Sequence, residues 1–406
     1  MKTFNSYKDV KICCYAMCAS EPEAFIDRWL ESMKGADWIT VLVTKANDPN
    51  YAYFKQKQQL PEFANKLIVE EKAILPWRFD TARNESMKLI PKEADALICT
   101  DIDEILIEDF WDDYRKCVFE HPNFERIYYQ YAWSHDETTG DPKWYFWYDK
   151  THQNGGWFWD YPVHEYLKCP EIEKYGYSGT YYLDSNKIYL HHYPDTTKSR
   201  SSYLGLLEMR AKEYPEDIYG LYYLQREYSF IDDYESALKT AVQLYVRLLK
   251  NNPNAEELEA RDDMMMLSGT CVSIGDYFLQ FNMKEDAELF YKKAMIHDPG
   301  FRDSYIKLAQ MYAYCGRYSD CYSILDIMDI NSVYRVDWRL VSYYWRDWKR
   351  YQILADAKCW EGDLKEAGRY FNLALDDIKT DDDRKDASEE GFYNDYQWYL
   401  VNKGKA

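Results

Sequence analysis

The first hundred residues alternate short apolar runs with helix-like segments, and this alternation strongly limits the folds open to the chain. An apolar run bounded by charged residues is typical of a strand buried on both faces of a parallel sheet. Such runs occupy residues 9–19, 38–44, 66–71 and 95–103. Helical patterns follow the first run and occupy residues 81–94. The alternation predicts an α/β domain with a largely parallel sheet.

The sequence changes character twice after residue 103. Residues 124–193 hold aromatic, β-prone segments separated by Gly, Asp and Pro, which predicts antiparallel or mixed strands with long loops. From about residue 200 onward the patterns are helical. We therefore expect two domains, an α/β domain over residues 1–200 and an all-α domain over residues 201–406.

A weak internal repeat of 34 residues runs through the helical half. Small residues at fixed positions allow paired helices to approach closely, so the repeat predicts tetratricopeptide-like units, with an irregular helical bundle as the alternative. An earlier unit is expected around residues 222–253, and the charge-rich segment 380–390 is expected to be a solvated loop. The recurring positions are Gly275, Phe278, Ala287, Tyr291, Ala294 and Pro299, then Ala309, Tyr312, Cys321, Leu325 and Met328, then Gly362, Ala367, Phe371 and Ala374.

Composition narrows the possible partners. A formal net charge of −20 disfavours binding to nucleic acid or to an anionic membrane. No segment resembles a membrane span or a signal peptide, so we expect a cytoplasmic protein. The ten cysteines lack zinc-site spacing and are expected to be reduced, buried thiols. The 41 Tyr, 14 Trp and 17 Phe fit either a Tyr-rich core or a sugar-binding surface.

Two carboxylates follow the fourth apolar run, in the segment ALICTDIDE (96–104). Residues two apart in a strand point the same way, so Asp101 and Asp103 are expected to reach one point while Ile102 faces the other side. Such a pair suits Mn²⁺ or Mg²⁺, and ligands of α/β sheets bind at the carboxyl ends of strands. A divalent ion there would neutralise the nucleoside diphosphate that leaves when a nucleotide-sugar gives up its sugar.

Five segments along residues 9–375 carry a family resemblance. They are 18–21 with the helix after it, 77–84, 101–104, 163–165 and 192–193. Their order resembles the family 2 glycosyltransferases, in particular bacterial and phage members with tetratricopeptide repeats after the catalytic domain. The resemblance implies an α/β GT-A catalytic domain (Rossmann-like, with a mixed sheet) followed by an all-α helical-repeat domain. It also implies metal-dependent, inverting transfer of a sugar, with a UDP-sugar as the expected donor.

The same resemblance implies residue roles. Mn²⁺ or Mg²⁺ is expected on Asp103, with Asp101 contacting the ribose or, through water, the metal, and with His192 as a further ligand. Glu165 is the expected catalytic base, and Asp160 is the alternative base. The donor is expected to contact Cys18, Ser20, Asp48, Arg83, Asp101, Lys198 and Arg200.

Each role has a structural alternative. Arg83 could form a buried ion pair with Asp80 or Asp101, and Glu165 could be the carboxylate partner of an Arg or Lys. His192 could be a strand histidine bonded to backbone, and the cations at 198 and 200 could simply solvate their loop.

The chain also departs from the family pattern. Thr44 stands where the family often has an acid after the second strand, and Ser20 stands where Asn is usual. These departures leave the base of the donor open, and the acceptor could be a glycan, a peptide or another nucleophile. Two other functions remain: a repeat scaffold whose α/β domain no longer catalyses, and a metal-dependent nucleotidyl or phosphoryl transferase, although a P-loop is missing. A homodimer through the repeats is compatible with all three.

Overall fold

A computed structural model describes residues 4–136, 139–175, 179–195, 203–251, 260–331 and 347–404. The chain divides into two compact units, residues 1–210 and 211–406, and the division falls within helix α6 (Tyr203–Glu213). Two of the predicted donor contacts, Lys198 and Arg200, lie outside the described residues.

The first unit is an α/β structure. Its strands are β1 (Ile12–Cys18), β2 (Trp38–Val43), β3 (Leu67–Glu71), β4 (Ala96–Cys99), β5 (Glu104–Leu106), β6 (Arg126–His135), β7 (Pro142–Tyr148), β8 (Thr151–Gln153), β9 (Phe158–Asp160), β10 (Tyr166–Lys168), β11 (Thr180–Tyr182) and β12 (Ile188–His192). Its other helices are α1 (Glu23–Ser32), α2 (Pro49–Lys57), α3 (Phe79–Met87), α4 (Asp109–Glu120) and α5 (Pro170–Tyr175).

The central sheet is mixed, in the order β3-β2-β1-β4-β8, with four parallel strands and β8 antiparallel to β4. Both of its faces are buried: Cys14 and Ala16 pack into one apolar cluster, while Cys13 and Tyr15 pack into another. The continuous apolar runs follow from this double burial, because a strand covered on both sides has no polar face. The predicted mixed α/β class is confirmed.

A second sheet follows in the order β11-β6-β12-β5, and β7 pairs with β6. Strand β12 is parallel to β6 and antiparallel to β5, so this sheet is also mixed. The turn between β4 and β5 therefore leads from the first sheet directly into the second.

The fourth strand is shorter than the sequence predicted. It ends at Cys99, and residues 101–103 form a turn before β5 begins at Glu104. The argument that Asp101 and Asp103 share a direction because they lie two apart in a strand is therefore wrong. Ile102, 2% exposed, anchors the turn in the core, and the two carboxylates meet different partners.

The second unit is helical and consists of consecutive pairs. The helices are α7 (Ile218–Phe230), α8 (Tyr234–Asn251), α9 (Ala260–Gln280), α10 (Lys284–His297), α11 (Arg302–Tyr314), α12 (Tyr318–Asn331), α13 (Asp347–Glu361), α14 (Leu364–Asp377), α15 (Asp381–Glu389) and α16 (Phe392–Asn402). The first eight form four pairs in which each helix packs on the next.

The four pairs share one turn geometry. A residue with positive φ follows the first helix of each pair: Asp232, Asn282, Gly316 and Gly362. The next N–H then closes a six-residue loop onto the first helix, from Asp233 to Tyr228, Met283 to Phe278, Arg317 to Tyr312 and Asp363 to Lys358, at 2.8–2.9 Å. This is the Schellman pattern of helix C-termini. The recurring turn, together with the packing of consecutive helices in pairs, confirms the predicted helical repeat for these four pairs.

The charge-rich segment 380–390 is a helix, α15, and the loop prediction for it is wrong. The Thr380 hydroxyl accepts the N–H of Asp383, and the Asp383 carboxylate accepts the N–H of Thr380. This reciprocal capping box satisfies two backbone donors that a charged segment would otherwise leave to water.

The repeat places Gly275 against an aromatic ring. A Cβ at this position would lie 2.5 Å from a ring carbon of Tyr291, whereas one at Gly205 in α6 would meet nothing within 4 Å. We predict that Gly275→Ala lowers the free energy of unfolding by about 1–3 kcal/mol through overpacking. The matched Gly205→Ala should be neutral or stabilising by up to about 1 kcal/mol. Urea denaturation followed by circular dichroism measures both, and equal effects would contradict the packing argument.

Candidate functional site

The candidate site lies at the carboxyl edge of the first sheet. Strands β1, β2 and β4 are adjacent or next-adjacent and parallel, so the segments that leave them, 19–22, 44–48 and 100–103, start from the same edge. Two later segments also reach this edge. Segment 163–165 contacts Arg83 through Glu165, and segment 192–193 contacts Asp103 through both of its residues. Open α/β sheets bind their ligands at this edge.

Asp103 and His192 meet at the start of the second sheet. His192 Nε2 lies 3.3 Å from Asp103 Oδ2, and His192 Nδ1 lies 3.1 Å from the carbonyl oxygen of Trp133. The N–H of Tyr193 donates to the Asp103 carbonyl at 2.8 Å, which holds the turn against β12. Because the Trp133 carbonyl can only accept, Nδ1 carries a proton and Nε2 is directed at the carboxylate.

The carboxylate of Asp103 favours the protonated form of His192. Burial alone would lower the pKa of His192, but the hydrogen bond to Asp103 and the charge of that carboxylate raise it, and the net shift is upward. A cation bound between the two side chains would take the place of this proton.

Asp101 belongs to a buried charge network. Its carboxylate lies 2.9 Å from Arg83 Nη2 and 2.8 Å from Lys150 Nζ, and Lys150 also contacts Glu104 at 3.1 Å. Burial alone would raise the pKa of Asp101, but the charges of Arg83 and Lys150 lower it. Two cations already occupy the Asp101 oxygens, so Asp101 is poorly placed to ligate a metal directly, and it lies in the ion pair anticipated as the alternative for Arg83.

Glu165 is the second carboxylate partner of Arg83. Its Oε1 lies 2.5 Å from Arg83 Nε, and its side chain is 10% exposed. The loop before it has positive φ at Tyr161 and His164, and Arg210 Nη1 donates to the carbonyls of Val163 and His164 at 2.9 Å. Positive φ in residues with a Cβ is strained, so this loop is held in place by its surroundings.

Asp160, the alternative base, lies in β9 and pairs with Lys168 at 2.9 Å. Asp80, the other partner proposed for Arg83, instead pairs with Arg78 at 2.7 Å.

The loops after β1 and β2 are joined by Asp48. Its Oδ2 accepts the backbone N–H of Ser20 at 2.7 Å and the Ser20 hydroxyl at 3.0 Å, while Oδ1 caps α2 at Asn50. Asn50 Oδ1 also lies 3.4 Å from Cys18 Sγ. These three predicted donor contacts are brought together, and Asp48 shapes the loop with both of its oxygens.

Two cations of this region were not predicted. Lys150 precedes the short strand β8 and contacts Asp101 across 49 residues of sequence, and no motif marks it. Arg28 of α1 lies over the rings of Phe25 and Tyr193, at 4.7 and 4.8 Å from their centroids. Its Nε and Nη2 are buried without a hydrogen-bond partner among the described residues. A lone arginine on an amphipathic helix carries no signal in the sequence.

The described side chains supply only part of a metal's coordination shell. Within the described ranges, no three His, Cys, Asp or Glu side chains are grouped as ligands. Asp103 and His192 supply one oxygen and one nitrogen. Mg²⁺ is commonly held by one or two carboxylates with substrate phosphates and water, and Mn²⁺ also accepts imidazole. The pair therefore fits such an ion when a diphosphate completes its coordination.

Comparisons with known proteins found similarity to solved structures alone. No protein-family model and no curated protein matches the chain. Crystal structures of tetratricopeptide proteins are similar to part of it. MamA has 16% identity and a TM-score of 0.33, over 46% of this chain and 95% of its own. TTC0263, a thermophilic TPR protein of Thermus thermophilus, has 22% identity and a TM-score of 0.31, over 46% and 89%. YrrB, a TPR protein with an unusual peptide-binding site, has 8% identity and a TM-score of 0.31, over 47% and 83%. Across the described residues, no helix combines the length and apolarity needed to cross a membrane.

The charge network yields a stability prediction. Lys150 is 6% exposed in its side chain, so Lys150→Met leaves Asp101 and Glu104 without their shared cation. We expect a loss of about 3–5 kcal/mol in the free energy of unfolding at pH 7. The lowered pKa of Asp101 means that its stabilisation is present above the unfolded pKa of about 3.9 and is lost as pH falls. The difference from wild type should therefore persist from pH 7 to about pH 4 and shrink in urea titrations carried out below about pH 4.

The matched control is Lys72→Met. Lys72 pairs with Glu85 at 2.7 Å but its side chain is 55% exposed, so water screens the pair. Its loss should not exceed about 1 kcal/mol. Equal losses in the two variants would show that the network is not stabilised by burial of its charges.

Proposed function

We propose that the first unit is a GT-A glycosyltransferase domain. It would transfer a sugar from a nucleotide-diphosphate donor to an acceptor nucleophile in a metal-dependent, inverting reaction. The observation that carries the proposal is the Asp103–His192 pair, with its atoms 3.3 Å apart, in the turn that leaves the carboxyl edge of the sheet. That turn leaves the carboxyl edge of four parallel strands, the edge at which α/β proteins bind nucleotides.

The charges of the site support a divalent cation. Asp101, Asp103, Glu104 and Glu165 are four carboxylates, and the permanent cations that contact them are Arg83 and Lys150, so two negative charges are in excess when His192 is neutral, the form that ligates a metal. Asp103 and His192 would hold Mn²⁺ or Mg²⁺, which when bound neutralises the leaving diphosphate. The Nδ1–H of His192, donated to the Trp133 carbonyl, keeps Nε2 aimed at the metal position.

The other residues act as supports or as the base. Arg83 binds Asp101 and Glu165 at the same time, so it fixes the turn after β4 and the loop after β9 relative to each other. Only Oε1 of Glu165 faces Arg83, and among the described residues no group bonds its Oε2. Oε2 is the atom we assign to accept the proton of the acceptor nucleophile. Asp160, which is paired with Lys168, is the weaker candidate.

The donor nucleotide would lie along the loops after β1 and β2. Cys18, Ser20 and Asp48 form one hydrogen-bonded loop surface there. We keep a UDP-sugar as the expected donor, with Lys198 and Arg200 as predicted diphosphate contacts. Arg28 adds a guanidinium beside Tyr193, next to the metal turn.

The first test is Asp103→Asn. The protein with Mn²⁺ should slowly hydrolyse a nucleotide-sugar from a UDP-, GDP- and TDP-sugar panel, and Asp103→Asn should lower the rate at least about 100-fold because the metal loses its carboxylate. Asp109→Asn, with a side chain that is 61% exposed on α4, is the control and should retain the wild-type rate.

Mn²⁺ affinity measured by calorimetry should fall from pH 8 to pH 6, since the raised pKa of His192 makes a proton compete with the metal.

The products separate the alternatives. Release of a nucleoside diphosphate supports sugar transfer, whereas release of pyrophosphate indicates nucleotidyl transfer. Failure of every nucleotide-sugar in the panel to bind, judged by calorimetry with Mn²⁺ present, would rule out the proposed transferase.

A groove in the second unit favours a second function, the binding of a peptide. Its volume is about 1040 Å³, and it is lined mainly by α7, α9 and α11, the first helices of three consecutive pairs. Phe230 and Tyr314 line it while 66% and 77% exposed, so they offer apolar anchors. The charged lining residues are Arg226, Lys284 and Lys307 against Asp276 and Asp303, a net of +1 in a chain of net charge −20. This balance favours a peptide with acidic residues.

Tyr314→Ala tests this second function. Peptides selected from a displayed library on the full chain should be enriched in acidic and apolar residues. Tyr314→Ala should weaken their binding at least about tenfold, as loss of an aromatic anchor does. Ile296→Ala changes a residue that is 75% exposed but does not line the groove, and it should bind as wild type does. Fluorescence anisotropy measures both, and equal affinities would exclude the groove as the binding site.

A further inference from the structure

Trp133 is a large aromatic residue left open beside the metal pair. It is 53% exposed, although tryptophan is usually well buried. One face of its indole stacks on the His192 ring, with centroids 4.7 Å apart and planes 28° apart, and Tyr131 meets it edge-on at 6.3 Å. Among the described residues, no further aromatic ring or cation covers its second face. Half of this side chain is therefore available to a ligand.

A β-bulge in β6 explains why the Trp133 side chain is exposed. Ala132 of β6 pairs with Tyr145 of β7, and Ser134 pairs with Trp144, the very next residue towards the start of β7. Trp133 is thus the extra residue of a β-bulge, with no partner on β7. Bulges occur next to active sites, where they turn a side chain out of the regular alternation. The exposure of Trp133 is built into the strand pairing.

Trp133 lies on the side of the metal pair opposite to the nucleotide loops. From the metal turn, the second sheet runs β5, β12, β6 and then β7. Neighbouring strands are about 4.8 Å apart, so Trp133 lies about two strands, or roughly 10 Å, from β5. The proposed nucleotide surface of Ser20 and Asp48 instead follows β1 and β2, on the other side of β4. A group bound on Trp133 is therefore placed as an acceptor and not as the donor base.

We propose that Trp133 is the platform for a pyranose ring of a carbohydrate acceptor, an inference that rests on the proposed transferase function. The face of an aromatic ring is electronegative and apolar, and it matches the C–H face that a pyranose presents while its hydroxyls point outward. The neighbouring strand β7 also carries two exposed aromatic residues, Trp144 at 47% and Tyr145 at 56%, which alternate between the two faces of the sheet. Aromatic side chains bind the apolar face of a sugar ring. An anionic polymer would instead require a surface of cationic side chains.

The test compares acceptors and variants. Wild-type protein with Mn²⁺ and the active donor is given p-nitrophenyl glycosides of glucose, galactose, mannose and N-acetylglucosamine, and separately Ser- and Tyr-containing peptides. We expect transfer to at least one glycoside and none to the peptides. Trp133→Ala should raise the KM for the glycoside about 3- to 10-fold, the loss expected for one aromatic stack, while the donor KM changes less than about twofold. Trp133→Phe should recover most of the difference.

The control is Trp360→Ala, which removes a tryptophan of similar exposure, 51%, from helix α13. It should leave both KM values unchanged. Equal glycoside KM values for wild type and Trp133→Ala would overturn the platform, and so would transfer to the peptides alone. A parallel rise in donor KM and in the Mn²⁺ requirement would assign Trp133 to support of His192 and would also overturn it. Absence of donor turnover in wild type marks instead the failure of the proposed function.

Discussion

The buried guanidinium of Arg83 is the interaction on which the first unit depends most. Its side chain is 4% exposed, and it binds Asp101 in the turn after β4 and Glu165 in the loop after β9. A buried cation is costly unless carboxylates surround it, so the segments that carry those carboxylates must be held at short distance. The strained backbone at Tyr161 and His164 is consistent with this demand. The geometry of the candidate site and the folding of the first unit are thus coupled through one side chain.

Lys150 is a second buried cation, and it links the turn after β4 to the first strand of the second sheet, β5. Lys150 pairs with Asp101 and Glu104, and its charge offsets the cost of burying these two carboxylates. Asp103 does not contact Lys150 and pairs with His192 instead. Asp101 and Asp103 look equivalent in the sequence, but they have different partners and therefore different structural roles. Asp101 belongs to a buried ion-pair network with two cations, whereas Asp103 meets a single histidine.

Prediction from the sequence succeeded where one residue type dominates a segment. The strands β1, β2 and β4 were predicted because continuous apolar runs have no other stable place, and the helical repeat was predicted because small residues recur at helix contacts. It failed at the end of β4, which was predicted to continue to residue 103 but ends at Cys99. The segment 100–103 contains no Gly or Pro that would mark the end of a strand. Helix α15 was missed because its capping box, Thr380 with Asp383, uses an Asp where Glu is usual.

The sequence by itself determined the α/β class of the first half, the repeat of the second and the candidate acids near residue 101, because these follow from local hydrophobic pattern and spacing. Only the tertiary structure decided which groups meet. Arg83 with Glu165, Lys150 with Asp101, and Trp133 against His192 are separated by 82, 49 and 59 residues. Ion pairs and ring contacts over such separations depend on how the two sheets are arranged, and no local pattern records that arrangement.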